Sequence, residues 1–304
     1  MSKPAMTSEG RSVDLDRLTA PAQAVERELE ALLQRRPMPG NLRQAIRYAL
    51  LGPGKRLRPV LVVHACEAVG GHADAALPVA GALELVHCFS LVHDDLPAMD
   101  DDDLRRGRPT LHRHAGEAMA ILAGDAMLSL AFELIAGRGA AGAQRWRGEL
   151  TRELATATGD MIAGQVYDTL PEFDQAMQPL ERLELIHRHK TGALLRAACR
   201  MGAIVGGAGP RQLEALTAYA EAVGLMFQVV DDLLDVTRTT EQLGKAAGKD
   251  ADKGKLTYPG LIGVEASWAE VHRLRESAHA ALRDFGAPAD PLRELADYMA
   301  VRER

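Results

Sequence analysis

The chain has 304 residues, of which 47% are hydrophobic and 26% charged, and its formal net charge at pH 7 is -6. That balance is ordinary for a soluble globular protein, and the acidic charge gives no footing for nucleic-acid binding. The three cysteines, Cys66, Cys88 and Cys199, lie too far apart for a disulfide framework or a zinc-ligand spacing, which points to a reducing, cytoplasmic setting.

Residues up to about Ser12 are small and polar and are expected to be loosely ordered, with residues 13–304 forming one domain. Met1 to Arg11 lacks the apolar core of a signal peptide, and no stretch reads as long enough to span a membrane. From Val13 to Leu33 apolar residues recur at helical spacing (Leu15, Leu18, Val25, Leu29, Leu32, Leu33). Pro37 to Gly40 ends that segment, and a second helix over Asn41 to Leu51 stops at Gly52-Pro53-Gly54. Pro59 suits the first turn of a third helix that Gly70-Gly71 closes. A fourth helix begins near Ala73. Further helices are predicted over Gly116 to Ala136, Arg145 to Asp168, Glu181 to Val205 and Arg211 to Val236, with two shorter ones near the C-terminus. Alanine and leucine abound, aromatics make up only 4%, and no segment alternates with period two. The expected fold is all-α, a bundle of about ten helices.

The fourth helix leads into His93-Asp94-Asp95-Leu96-Pro97-Ala98-Met99-Asp100-Asp101-Asp102-Asp103, with Arg105, Arg106 and Arg108 directly behind. Clustered carboxylates repel one another unless a cation neutralises them, and Mg²⁺ is commonly held by carboxylates together with substrate phosphates. An arginine fork beside such a cluster matches phosphate oxygens two at a time. Asp94 and Asp100 are six apart, and Pro97 distorts the turn between them, so spacing leaves Asp100 and Asp101 open as the third carboxylate. A second cluster, Gln228 to Asp235, sits inside an apolar helix. Asp231 and Asp235 are four apart on one face, with Asp232 alongside.

Basic groups complete the pattern. Gly54-Lys55-Arg56-Leu57-Arg58-Pro59 places Lys55 and Arg58 three apart at a helix start, where an anion is also favoured by the dipole. His189-Lys190-Thr191-Gly192 adds a cation and a hydroxyl within a helical stretch. Gly244 to Lys255 is rich in glycine and lysine and reads as a mobile loop able to close over phosphates. Two acidic clusters and several basic ones suggest two polyanions, one held through metal and one held directly.

In this order, Gly-Lys-Arg-x-Arg-Pro, Asp-Asp-x4-Asp with Arg-Arg behind it, Lys-Thr, Asp-Asp-x2-Asp and Gly-Lys-x-Thr-Tyr-Pro (Gly254 to Pro259) resemble the trans-isoprenyl diphosphate synthases, most of all the bacterial farnesyl diphosphate synthases. The resemblance runs from about Gly54 to Pro259 and implies a helical bundle around a deep central cavity and a homodimer. It implies that Asp94, Asp95 and Asp100, with Asp231, Asp232 and Asp235, ligate Mg²⁺, three ions per active site, bridging an allylic diphosphate. Arg105, Lys190 and Lys245 would contact that diphosphate. Lys55, Arg58, His87 and Arg106 would hold isopentenyl diphosphate without metal. Thr191 and Gln228 would lie beside the developing allylic cation, Lys255 would help the loop close, and Gln165 and Asp168 would support the site.

No side-chain nucleophile is needed for such a reaction: the diphosphate leaves, the isopentenyl double bond attacks, and water must be kept away from the cation. Product length should follow the depth of the apolar pocket. Phe89 lies five residues before Asp94, about 7.5 Å along a helix at about 1.5 Å per residue, and with Ser90 beside it reads as a floor. An aromatic at that position resembles the C15-forming members, so farnesyl diphosphate is the expected product, with geranylgeranyl (C20) or geranyl (C10) diphosphate as the alternative. Two remoter alternatives are a phosphohydrolase built on the His93-Asp94 doublet and a terpene cyclase. The first leaves the second aspartate cluster unexplained, and the second has no need of a Lys55/Arg58 site.

Overall fold

A computed structural model describes residues 15–137, 143–237 and 256–302. Lys245, Lys255 and the N-terminal segment lie outside the described residues. Those described fold as helices in the order α1 (Leu15–Thr19), α2 (Pro21–Arg35), α3 (Gly40–Leu50), α4 (Leu57–Ala68), α5 (Ala73–Asp94), α6 (Leu111–Ala115), α7 (Glu117–Ala136), α8 (Arg147–Thr169), α9 (Pro179–His187), α10 (Ala193–Gly206), α11 (Pro210–Thr237), α12 (Tyr258–Ile262), α13 (Val264–Ala281) and α14 (Asp290–Val301). The fold is all-α, as composition and periodicity predict.

The bundle is built around α5. This helix is apolar on every side, with Val79, Leu83, Leu85, Val86 and Phe89 all buried, because α2, α4, α7 and α10 pack around it. A helix apolar all round must be enclosed, whereas surface helices such as α2 show one apolar stripe. The sequence reading of membrane-spanning length needs correcting here. Ala73–Asp94, Glu117–Ala136 and Pro210–Val236 are each long and apolar enough to cross a membrane by length and composition. For α5 the protein interior takes up most of that apolar surface; α7 keeps Ile121 and Leu122 exposed.

Three local features depart from the sequence expectation. The first predicted helix is broken at Ala20, since Pro21 lacks an amide donor and starts a new helix at its first position. The segment expected as one helix over 181–205 is interrupted by a π turn at Arg188–Gly192, which the apolar spacing does not betray because it continues on both sides. And behind the first aspartate cluster, where no strand is expected, Leu104–Arg105 (β1) pairs antiparallel with Arg108–Pro109 (β2). The two linking residues, Arg106 and Gly107, have φ of 53° and 75°, as a tight primed hairpin turn requires.

Close backbone approach fixes how α4 meets α10. A Cβ on Gly202 would lie 2.1 Å from the Val62 carbonyl oxygen, and one on Gly206 would lie 2.8 Å from that of Cys66. Overpacking a tight contact commonly costs about 1–3 kcal/mol, and here the obstacle is backbone that cannot rotate away. Gly202→Val is therefore expected to lose at least that much stability in urea denaturation; a wild-type midpoint would show that the two helices can separate freely.

Candidate active site

The first acidic wall forms where α5 ends. Beyond Asp94 the chain turns back on itself: the Asp100 amide donates to the Asp94 carbonyl at 2.8 Å, and the Asp101 amide to that of Leu96 at 3.2 Å. This turn brings Asp100 close to Asp94 despite the six-residue spacing. Asp101 takes up a left-handed conformation (φ 52°) and is exposed, whereas Asp100 lines a cavity of about 750 Å³ together with Asp168, Lys190, Gln228, Asp231, Asp232 and Asp235. Geometry thus favours Asp100 over Asp101 as the third carboxylate of the motif. Asp94 lines an adjoining cavity of about 470 Å³ that also reaches Lys190. Burial pushes the Asp94 carboxyl up to about 6; the nearby Asp100 and Asp95 carboxylates add to this, against Lys190 and Arg105.

Two of the expected metal ligands are also held by protein groups. Asp95 is buried and held by Arg105, whose Nε donates at 2.8 Å and whose Nη2 lies 2.7 Å away. Asp232 is buried as well, and its Oδ2 accepts from the Tyr258 amide at 2.9 Å and lies 3.3 Å from His187 Nε2. Asp231 keeps a 44% exposed side chain, with Oδ1 bonded to Arg302 at 2.7 Å. Among the described residues no three acidic, histidine or cysteine side chains stand close enough to hold a metal unaided. The donor set is nonetheless all carboxylate oxygen, and its crowding resists ionisation of Asp94, so a hard divalent cation bridged by phosphate oxygens fits this wall.

The basic wall lies at the start of α4. Arg56 sits in the left-handed region (φ 49°) and turns inward to Glu84 (3.0 Å), Glu26 (2.9 Å) and the Gly52 carbonyl (2.6 Å). Sequence reasoning missed this residue, although buried arginine demands such partners. Arg58 Nη1 lies 3.2 Å from His87 Nε2. Since guanidinium can only donate, that imidazole nitrogen accepts, and His87 is neutral. Burial, then Arg58, Arg106, Arg105 and Arg56, hold its pKa well below the usual histidine value. Burial also brings Arg58 down to about 10, and its buried Nε has no protein partner. Arg106 donates to the Pro53 carbonyl at 2.6 Å and passes so close to Gly54 that a Cβ there would lie 2.3 Å from Nη1. Such a concentration of positive charge favours an anion. Lys55 does not share it: α4 begins only at Leu57, and Lys55 lines a separate groove with Glu26, Tyr298 and Arg302.

Between the walls lies apolar surface. Phe89, Leu91, Met161, Ile162, Val166 and Leu194 line the cavity that Arg58, His87, Asp94, Lys190 and Thr191 border. Phe89 is 6% exposed and meets His93 edge-on at 5.8 Å, while Ser90 Oγ donates to the His87 carbonyl at 2.9 Å. Lys190 and Thr191 project from the π turn, and Lys190 Nζ bonds Asp168 at 2.6 Å. Gly164 permits this, because a Cβ there would lie 2.1 Å from the Lys190 amide nitrogen. His93 Nε2 lies 3.1 Å from the Ile121 carbonyl, so that nitrogen is engaged by backbone, which weakens the doublet the hydrolase reading needs.

Residues 39–285 match the protein-family model described as polyprenyl synthetase. The chain belongs to that family.

Polyprenyl synthetases are prenyltransferases of isoprenoid biosynthesis, which agrees with a cavity that has two charged ends and an apolar body. The chain is 49% identical over 286 residues to geranylgeranyl pyrophosphate synthase 7 of Arabidopsis thaliana, covering 93% of this chain and 82% of that enzyme. Its fold superposes on an FPP/GFPP synthase from Zymomonas mobilis with a TM-score of 0.82 at 37% identity, covering 95% of this chain and 99% of the other. The geranylgeranyl pyrophosphate synthetase of Pyrococcus horikoshii gives 0.85 at 30% identity, covering 95% and 98%.

In this polyprenyl synthetase the raised pKa of Asp94 has a consequence for stability. The folded, metal-free protein binds that proton more tightly than the unfolded chain does. Its contribution is therefore fully present below about pH 4 and is lost as pH rises through about 6. Asp94→Asn is expected to flatten that slope and to raise the melting temperature of the metal-free protein near pH 7.5. An unchanged slope would mean that Asp94 ionises freely.

Proposed function

We propose that the chain joins isopentenyl diphosphate to an allylic diphosphate and extends it to geranylgeranyl diphosphate (C20), releasing diphosphate. The observation that carries the reaction is the pair of opposed walls, carboxylates around Asp94 and arginines around His87, separated by an apolar cavity. One wall suits a diphosphate that arrives with metal, the other a diphosphate bound directly. A terpene cyclase, with a single diphosphate to hold, leaves the arginine wall without a purpose.

Arg58 and Arg106 hold the isopentenyl diphosphate, with neutral His87 beside them. Lys190 and Thr191 on the π turn, with Gln228 on α11, border the point where the allylic carbon loses its leaving group. Mg²⁺, held by Asp94, Asp100, Asp231 and Asp235, would neutralise the charge growing on the departing diphosphate. The side chains around Phe89 exclude water from the cation that forms.

The C20 product rests on the 49% identity to a geranylgeranyl pyrophosphate synthase. A second reading, C15, rests on Phe89, whose ring lines the cavity within two turns of Asp94. The expected homodimer belongs to the same proposal: Ile121 and Leu122 on α7 are apolar, 44% and 57% exposed, and suited to a second copy.

Incubation with Mg²⁺, labelled isopentenyl diphosphate and dimethylallyl, geranyl or farnesyl diphosphate is expected to give a C20 product by chromatography. Accumulation of C15 from dimethylallyl and geranyl diphosphate, with farnesyl diphosphate left unextended, would favour the second reading; no elongation with any starter would refute the function. Phe89→Ala should move the product distribution to longer chains, and an unchanged distribution would place the floor on a neighbouring helix.

A further inference from the structure

The last described residues of the chain reach back to the second acidic cluster. Arg302 follows the end of α14, yet it is only 5% exposed. Its Nη2 donates to Asp231 Oδ1 at 2.7 Å and to the Phe227 carbonyl at 2.8 Å, and its guanidinium lies 3.9 Å from the centre of the Phe227 ring. The buried Nε has no protein partner. Guanidinium is held here by a carboxylate, a carbonyl and a ring, all on one turn of α11. Asp231, by contrast, is 44% exposed at its side chain, and its Oδ2 is only 3.5 Å from Gln228 Nε2, at the limit of a hydrogen bond. Without the arginine this carboxylate would rotate freely at the cavity edge.

We propose that Arg302 is a positioning residue for metal-diphosphate binding: it fixes Asp231 Oδ1 and so presents Oδ2 to the cavity. This rests on the diphosphate reading above. A group that orients a ligand from behind commonly changes metal affinity by about 10–100-fold when removed. Arg302 does so without lining the cavity that holds the carboxylates, since it borders instead the groove of Lys55 and Tyr298.

The test uses the full chain, inorganic diphosphate and Mg²⁺, and reads the Mg²⁺ concentration that gives half of the maximal rise in melting temperature. Arg302→Ala is expected to raise that concentration about tenfold, and Arg302→Lys, which keeps the charge but loses the fork, to fall between. On an Asp231→Asn background, Arg302→Ala should add little, because the two act as one unit. If Arg302→Ala does not fold, Phe227→Leu removes only the stacked ring and should shift the midpoint in the same direction by less. A midpoint unchanged in the variants beside a normal wild-type response overturns the positioning role alone. Wild-type protein that gains no stability from Mg²⁺ and diphosphate overturns the diphosphate reading and this inference with it.

Discussion

Like charges crowd at both ends of one apolar cavity, and the rest of the site is arranged around the difficulty of keeping them there. Burial raises the proton affinity of a carboxylate and neighbouring carboxylates add to it, as Asp94 shows. At the basic end burial lowers the pKa of Arg58 and, with four arginines around it, keeps His87 neutral. The protein supplies some countercharges itself: Arg105 for Asp95, Arg302 for Asp231, Glu84 and Glu26 for Arg56. What these leave over is a negative end that favours a metal and a positive end that favours an anion.

Holding opposed charges at fixed separation needs a stiff frame. The frame is the bundle around α5, which carries His87, Phe89 and Asp94 within about two turns of one helix and therefore sets anion contact, cavity wall and acidic cluster in fixed register. Glycines do the rest where helices must come closer than side chains allow. Gly202 and Gly206 seat α10 on α4, and Gly164 seats α8 on the π turn that presents Lys190 and Thr191. A π turn widens the helix and leaves its backbone bonding irregular, a device found mainly where function needs a side chain out of ordinary helical register.

Paired residues far apart in sequence account for most of what periodicity could not see. Arg56 lies between two residues singled out from the sequence, yet it is the one that turns inward, because its left-handed backbone reverses the direction of its side chain and two glutamates from other helices receive it. Lys55, expected beside Arg58, lines a different groove. Asp232 falls in the acidic motif and lines the cavity, and it also binds the Tyr258 amide at the start of α12. The short hairpin of Arg105 and Arg108 was invisible to pattern reading, since two-residue strands have no period to detect.

The helical class, the two aspartate clusters and the chemistry of metal and phosphate are written in the sequence. They depend on residue type and short spacing, which a chain carries wherever it folds. Which aspartates face the cavity, which are bound by Arg105, His187 or Arg302, and which arginine is buried depend on contacts between helices distant in sequence. Those contacts exist only once the bundle has closed, because a carboxylate's role is set by the charge and the water around it, and both are properties of the packed molecule.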